Sequence, residues 1–353
     1  MRRDNEAMKY FHSVINQTAG HCPSPYLSPN TSILKLNSNE SPYPPSPQAL
    51  AALRNFNGEW LRRYPDPYAQ EFCTVAARVL GIPDNWILVD NGGDALLSLV
   101  IRACVAPGQT VVYPTPTYGL YRTLAEICGV QAMEIPWNPE QSLPLDPIVQ
   151  AGAPLTLIAA PNSPWGYQIS LDQLKYLAEG IAGVLVIDEA YVDFAEESAL
   201  ALVHAFENVI ILRTLSKGYG LAGLRFGFCI AQPALLSGLF KVKDSYGVDA
   251  IAIQVAAAAM ADQAYKDRRV AQIKADRQQL TVALQKIGLQ VYPSQGNFVL
   301  AAHPDAKRLH HQLRQNDIWV RYYEQSDLED KLRITIGTPE QNQRLLQRLT
   351  ALL

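Results

Sequence analysis

Arg213-Thr214-Leu215-Ser216-Lys217-Gly218-Tyr219-Gly220-Leu221-Ala222-Gly223-Leu224-Arg225-Phe226-Gly227 follows the apolar run Val209 to Leu212. A short apolar run is a buried strand, and the small residues behind it are a loop at the strand's end. In that loop a hydroxyl, an amine and a guanidinium stand close together. Ser216 can donate a hydrogen bond, and Arg225 can make a charge-assisted pair with phosphate oxygens. The grouping suits pyridoxal 5'-phosphate, whose aldehyde and phosphate sit on adjacent ring substituents. A lysine that takes the aldehyde must lie near the groups that hold the phosphate, as Lys217 does.

A second pattern overlaps the first. Gly218-Tyr219-Gly220-Leu221-Ala222-Gly223 fits G-x-G-x-x-G, with Asp244 downstream, the fingerprint of a dinucleotide site. That fingerprint needs its glycines to open a helix. Here they lead into Leu224 to Ile230, an apolar, β-rich run that reads as a strand.

Outward from this loop the chain alternates strand-like and helix-like segments. Strands are expected at Trp86–Val89, Thr110–Tyr113, Val130–Ile135, Leu155–Ala159, Gly183–Ile187 and Val209–Leu212. Helices are expected at Ala49–Phe56, Tyr68–Leu80, from Asp94 to Cys104, Thr117–Cys128 and Leu171–Glu179. Ser46-Pro47 reads as a cap and first helical position. Short apolar runs separated by amphipathic helices predict an α/β domain whose mostly parallel central sheet has helices on both faces. From Ile251 to Ile287 almost nothing breaks a helix, so one or two long helices are expected there. Strands near Val291, Phe298–Ala301, Ile318–Tyr322 and Leu332–Ile336 then predict a smaller α+β domain. The first 45 residues are rich in proline, serine and asparagine and read as an extended arm with little core of its own. The expected division is an arm 1–45, a large domain 46–260 and a small domain 261–353.

The chain has 353 residues, 48% of them hydrophobic, enough for a substantial core. A formal net charge of -3 gives no nucleic-acid footprint, and the charges are mixed along the chain. Met1-Arg2-Arg3 is followed by no apolar stretch of signal-peptide type, and Ile251 to Ala261 is too short to span a bilayer. The five cysteines are scattered without C-x-x-C spacing, and His310-His311 lacks the spacing of a helical metal pair. A cytoplasmic protein without a metal, a membrane or a nucleic-acid partner is expected.

Several polar residues fall where the strands end, the place where open parallel sheets bind ligands. Asp188 follows the strand ending at Ile187; its carboxylate could pair with a pyridinium nitrogen and strengthen the ring as an electron sink. Tyr191 could hydrogen-bond the ring's phenolic oxygen. Asn91-Gly92-Gly93-Asp94 precedes a helix, and backbone N–H groups there make an anion site; Gly92, Gly93 and Asp94 are assigned to a phosphate together with Ser216 and Arg225. Taken alone, Asp188 is also a common helix cap, Pro161-Asn162-Ser163-Pro164 a common turn and Gly92-Gly93 a common capping loop.

The Lys217 stretch closely resembles the cofactor-lysine segment of the class II aminotransferases and, within them, the histidinol-phosphate aminotransferases. Pro161-Asn162-Ser163-Pro164-Trp165-Gly166 is similar to that family's P-N-N-P-T-G loop, which implies that Asn162 contacts the phenolic oxygen. Ser163 and the bulkier Trp165 depart from it, and Trp165 is expected to narrow or reshape the pocket. Ala95 stands where the family has Glu. The resemblance implies that Tyr118, in Pro114-Thr115-Pro116-Thr117-Tyr118, stacks on the pyridine ring. It implies that Tyr64, in Arg63-Tyr64-Pro65, reaches the phosphate of a neighbouring subunit's cofactor, hence a homodimer. Leu332-Arg333-Ile334-Thr335-Ile336-Gly337-Thr338 resembles the substrate-anion segment and gives Arg333 that role. Arg321 joins it, because an arginine on a core-like strand needs an anion or water. Tyr26 and Asn39 match the arm that closes over the substrate.

The implied fold is type I of the pyridoxal-phosphate enzymes, and the implied activity is amino transfer between histidinol phosphate and 2-oxoglutarate, in histidine biosynthesis. Small-molecule amines and 2-oxo acids are then the partners. Lys217 would hold the cofactor, be displaced by the substrate amine, and then act as general base and acid. An aromatic-amino-acid aminotransferase and a threonine-phosphate decarboxylase-like lyase would share most of these residues.

Overall fold

The computed structural model describes residues 32–140 and 142–353, with a few isolated positions between 10 and 20. The first described strand, β1 (Leu34–Leu36), is followed by α1 (Pro47–Arg54) and α2 (Gln70–Leu80). Ser46 caps α1 by accepting from the Ala49 N–H, with Pro47 in the first turn. Seven strands then form the large sheet: β2 (Ile87–Asp90), β3 (Thr110–Thr115), β4 (Gln131–Pro136), β5 (Leu155–Ala159), β6 (Val184–Asp188), β7 (Val209–Thr214) and β8 (Gly227–Ile230). Their order across the sheet is β2-β8-β7-β6-β5-β3-β4. Neighbours from β7 to β4 pair parallel, whereas β8 runs antiparallel to both β7 and β2.

Successive residues of these strands face opposite sides, and both sides are buried except at the edge strand β4. Leu185 and Ile187 of β6, with Val209 and Ile211 of β7, belong to one apolar cluster; Val186, Ile210 and Leu212 belong to another. The first cluster is closed by α2 and α6 (Leu171–Gly180), through Phe72, Ala76, Leu174 and Leu177, and by α9 (Ala250–Ala261). The second is closed by α3 (Gly92–Cys104), α4 (Leu120–Ile127) and α8 (Pro233–Phe240). Two short helices, α5 (Leu145–Gln150) and α7 (Leu202–Ala205), complete this unit.

The long uninterrupted stretch is two helices, α9 and α10 (Gln263–Lys286). Asp262 separates them, capping α10 by accepting from the Tyr265 N–H. Beyond α10, β9 (Gln290–Val291), β10 (Phe298–Ala302), β11 (Ile318–Tyr322) and β12 (Lys331–Thr335) form a second sheet with α11 (Ala306–Gln315) and α12 (Pro339–Leu352). Its order is β1-β11-β12-β10-β9. The early stretch read as an arm with little core therefore contributes a strand: β1 pairs parallel with β11, and Leu34 and Leu36 are buried in the second core. Their alternation around Lys35 was the available signal, hidden by the surrounding prolines. Among the described residues no helix is long and apolar enough to cross a membrane.

Candidate active site

The loops leaving β2, β3, β5, β6 and β7 converge on a cavity of about 370 Å³. Lys217, Ser216, Asp188, Tyr191, Tyr118 and Arg225 line it, and Gly93 and Asp94 close one end. The loop of the opening sequence does not start a helix. After one 3-10 turn at Ala222–Leu224, Arg225 takes a left-handed conformation (φ 54) and the chain enters antiparallel β8. This removes the dinucleotide reading, which needs a helix N-terminus at that point.

The anion-binding end is built from backbone and one guanidinium. Helix α3 begins at Gly92, earlier than its apolar pattern suggested, and no side chain caps it, so its first N–H groups remain available to an anion. Gly92 has φ +81, and a Cβ on it would lie 2.7 Å from Arg225 Nη2. The backbone conformation favours glycine here, and a larger residue would also push the Arg225 guanidinium aside. Arg225 Nη2 donates to Asp94 Oδ2 at 3.2 Å, and the Tyr118 hydroxyl donates to Asp94 Oδ1 at 3.0 Å. The buried Ser216 is fixed by Thr214, whose hydroxyl lies 2.9 Å from Ser216 Oγ.

At the other end Asp188 is half-buried, with neutral donors only among its hydrogen-bond partners. The Tyr121 hydroxyl donates to Oδ2 at 2.8 Å and the Ala190 N–H to Oδ1 at 3.1 Å. Burial, the largest cause, raises the carboxyl above the ordinary aspartate range although both donors act to lower it. A carboxylate so placed fits a cationic N–H donor. Tyr121 was missed in the sequence, since a tyrosine inside an amphipathic helix looks like core. Beside Asp188, the Glu189 carboxylate is buried and pairs with Arg213 (Nη2 to Oε2, 2.8 Å), tying the end of β6 to the strand that leads to Lys217.

Lys217 Nζ donates to the Ser38 carbonyl at 3.2 Å and stands 5.8 Å from the Tyr191 ring centre. A Cβ on Gly218 would overlap the Asp193 carboxylate, so the residue after the lysine must be small. Burial works to raise the Tyr191 phenol, but the charges of Lys217 and Arg333 bring it below the usual tyrosine value. Asn162 lies just behind the cavity. Its amide reaches toward the Pro116 carbonyl and Thr117 hydroxyl, both at 3.4 Å, and its oxygen accepts from the Trp165 N–H.

Arg333 adjoins this group from the second sheet. Nη1 donates to Ser163 Oγ and Nη2 to the Asn37 carbonyl, each at 3.0 Å, while the buried Nε has no hydrogen-bond partner among the described residues. Arg321 stands directly across the strand pair from Arg333. Asn39, in a left-handed conformation (φ 55), is committed to the protein. It donates from Nδ2 to the Tyr191 hydroxyl, accepts from Thr335 at Oδ1, donates from its N–H to Thr335 Oγ1, and accepts from Asn297 at its carbonyl. Its side chain thus orients Tyr191 rather than presenting free groups to a ligand. Trp165 does not line the cavity; it is buried against Leu300 and Leu328 of the smaller unit, which corrects the expectation that it narrows the pocket. Tyr64 lies outside the cavity, 81% exposed and stacked on Tyr246 at 4.4 Å. Tyr26 falls outside the described residues.

The site can therefore hold an anion at the α3 N-terminus, a protonated ring nitrogen at Asp188 and an electrophilic carbon at Lys217. The model for aminotransferase class I and II matches residues 31–349. The chain is 54% identical to histidinol-phosphate aminotransferase 1 of Trichormus variabilis, over 98% of this chain and 99% of the relative. It is 43% identical to the histidinol-phosphate aminotransferase of Rhodopirellula baltica, over 89% and 88%. Among solved structures, the histidinol-phosphate aminotransferase of Sinorhizobium meliloti in complex with pyridoxal-5'-phosphate superposes with a TM-score of 0.88 at 26% identity, covering 97% of this chain and 98% of that one. The architecture is that of fold type I, and the chain belongs to the class I and II aminotransferase family.

Proposed function

We propose that the chain transfers the amino group of histidinol phosphate to 2-oxoglutarate with pyridoxal phosphate as cofactor. One observation carries this reading: Lys217, Asp188, Gly93 and Arg225 line one cavity, and beside it stands Arg333, whose Nε has no hydrogen-bond partner among the described residues. The name of the relative at 54% identity supports the choice of substrate.

When bound, the cofactor supplies an aldehyde that accepts an amino group and a ring that withdraws electrons from the substrate's α-carbon. The α3 N-terminus, Ser216 and Arg225 bind its phosphate. Asp188 would hold the proton on the ring nitrogen, Tyr191 would face the phenolic oxygen with Asn162 behind it, and Tyr118 would cover the ring. Lys217, whose amine donates to the Ser38 carbonyl, would take the aldehyde and, once displaced, would move a proton at the substrate α-carbon. Arg333 takes the substrate anion, phosphate ester in one half-reaction and carboxylate in the other, because a guanidinium fork fits both.

The test is stoichiometric, ping-pong amino transfer from histidinol phosphate. A clear preference for phenylalanine, or carbon dioxide release in place of transfer, overturns the reading. Arg333→Ala is expected to raise KM for anionic substrates by about 10- to 100-fold, the usual weight of charge-assisted hydrogen bonds, with cofactor retention unaltered. Unchanged KM would make Arg333 structural.

We further propose a homodimer in which Tyr64 of one copy reaches the cofactor phosphate of the other. Its exposure outside its own cavity supports this. Tyr64→Phe should then weaken cofactor binding by about fivefold, one hydrogen bond, measured by absorbance titration. A fully active monomer in sedimentation would refute the arrangement. In the same reading we propose a division at about residues 45 and 260, with β1 of the arm joining the sheet of the smaller domain.

A further inference from the structure

We propose that Tyr323, braced by Trp165, is a positioning residue that sets the geometry of Arg321 and Arg333 for anion binding. The proposal rests on the reading of those arginines as the substrate-anion site. Arg321 and Arg333 are direct cross-strand partners of β11 and β12. Like charges placed directly opposite repel. Among the described residues neither arginine forms an ion pair with a carboxylate. Both guanidiniums instead meet aromatic rings: Arg321 lies 5.4 Å and Arg333 5.9 Å from the shared Tyr323 centre, and Arg333 lies 5.4 Å from the Phe298 centre as well.

That arrangement has a chemical consequence. An aromatic face attracts a cation through its quadrupole; the Tyr323 hydroxyl also engages Arg321 in a hydrogen bond, and the remaining N–H groups of the two guanidiniums stay open to a ligand. A carboxylate in the same place would fill those donors and compete with the substrate anion. Burial favours the neutral form of the Tyr323 phenol, although the two arginines oppose it, so the ring does not itself become a counter-anion.

Tyr323 is held from beneath. It packs on a small cluster of Trp165, Leu300 and Leu328, joined by Tyr292. Trp165 comes from the loop after β5 and meets Tyr292 edge-on at 5.0 Å, with Lys331 Nζ 5.5 Å from its own ring centre. The same loop presents Ser163 to Arg333, and its Gly166 carbonyl accepts from the Gln295 N–H at 2.7 Å. One loop of the large sheet therefore fixes Arg333 directly and supports the ring that faces both arginines.

The experiment uses the cofactor-loaded enzyme and inorganic phosphate as a competitive inhibitor, with absorbance reporting cofactor retention. Tyr323→Leu is expected to weaken phosphate inhibition by about tenfold and to raise KM for the anionic substrate alike, the loss falling on KM and not on kcat. Tyr323→Phe, which keeps the ring and loses only the hydrogen bond to Arg321, should lose about threefold, clearly less than Tyr323→Leu. Trp165→Thr removes the brace and should weaken phosphate inhibition while leaving cofactor absorbance intact. Equal losses in Tyr323→Leu and Tyr323→Phe would move the role to the hydroxyl and overturn the proposal. Parent-like phosphate inhibition in Tyr323→Leu, alongside a loss in Arg333→Ala, overturns it while the proposed function stands. Parent-like inhibition in Arg333→Ala defeats the anion-site reading itself. Should Tyr323→Leu fail to fold, parent-like inhibition in Trp165→Thr overturns the proposal.

Discussion

Lys217→Ala is expected to lower turnover by about 10⁴-fold or more, because it removes both the covalent attachment of the cofactor and the general acid–base group. The amine stands on the Ser38 carbonyl, and among the described residues no other lysine lines the cavity to replace it. Borohydride reduction followed by mass measurement should find no cofactor fixed to the variant, where the parent carries it on Lys217. Cofactor should still bind noncovalently, since the α3 N-terminus, Ser216 and Arg225 are untouched. Turnover near the parent's would refute the mechanism.

Asp188→Asn should cost about 10²- to 10³-fold in kcat, the usual weight of one electrostatic group aimed at charge that develops in the reaction. The substitution is close to isosteric. The amide oxygen can keep the Ala190 N–H, and the amide nitrogen can donate to the Tyr121 hydroxyl, which turns from donor to acceptor. Loss of activity would then report the missing charge and not a collapsed site. Stability should move the other way in cofactor-free protein. Burial raises the Asp188 carboxyl, so its ionised form destabilises the fold at pH above the ordinary aspartate range, and the penalty disappears as pH falls below that range. At neutral pH the cofactor-free Asp188→Asn protein is accordingly expected to melt somewhat higher than the parent. A lower melting temperature, together with unchanged kcat, would show that Asp188 is only a structural cap.

Much of the large sheet was legible because each strand is a short apolar run bounded by turn residues, and burial on both faces leaves no polar alternation to confuse. The order of the strands was not. Antiparallel β8 sits between β2 and β7, and no local pattern announces a partner so distant in the chain. The glycine pattern after Lys217 shows the same limit. Six residues satisfy a dinucleotide template, and the strand that follows them excludes it.

The sequence by itself determined the chemistry at Lys217, Ser216 and Arg225, because a loop of small residues forces groups so near in the chain to be near in space. It also marked Asp188 as a strand-end residue and Gly92 as lying just before a helix, two residues short of where periodicity started that helix. Tertiary structure alone decided what each of these groups faces. It placed Tyr121 on Asp188, the Ser38 carbonyl under the Lys217 amine, and Asn39 on Tyr191. It set Arg321 opposite Arg333 above one tyrosine ring and turned Trp165 away from the cavity into the neighbouring core. Such contacts depend on strand register and on how two sheets pack. Both are fixed by the burial of apolar faces contributed by segments far apart in the chain, so no window of the sequence contains them.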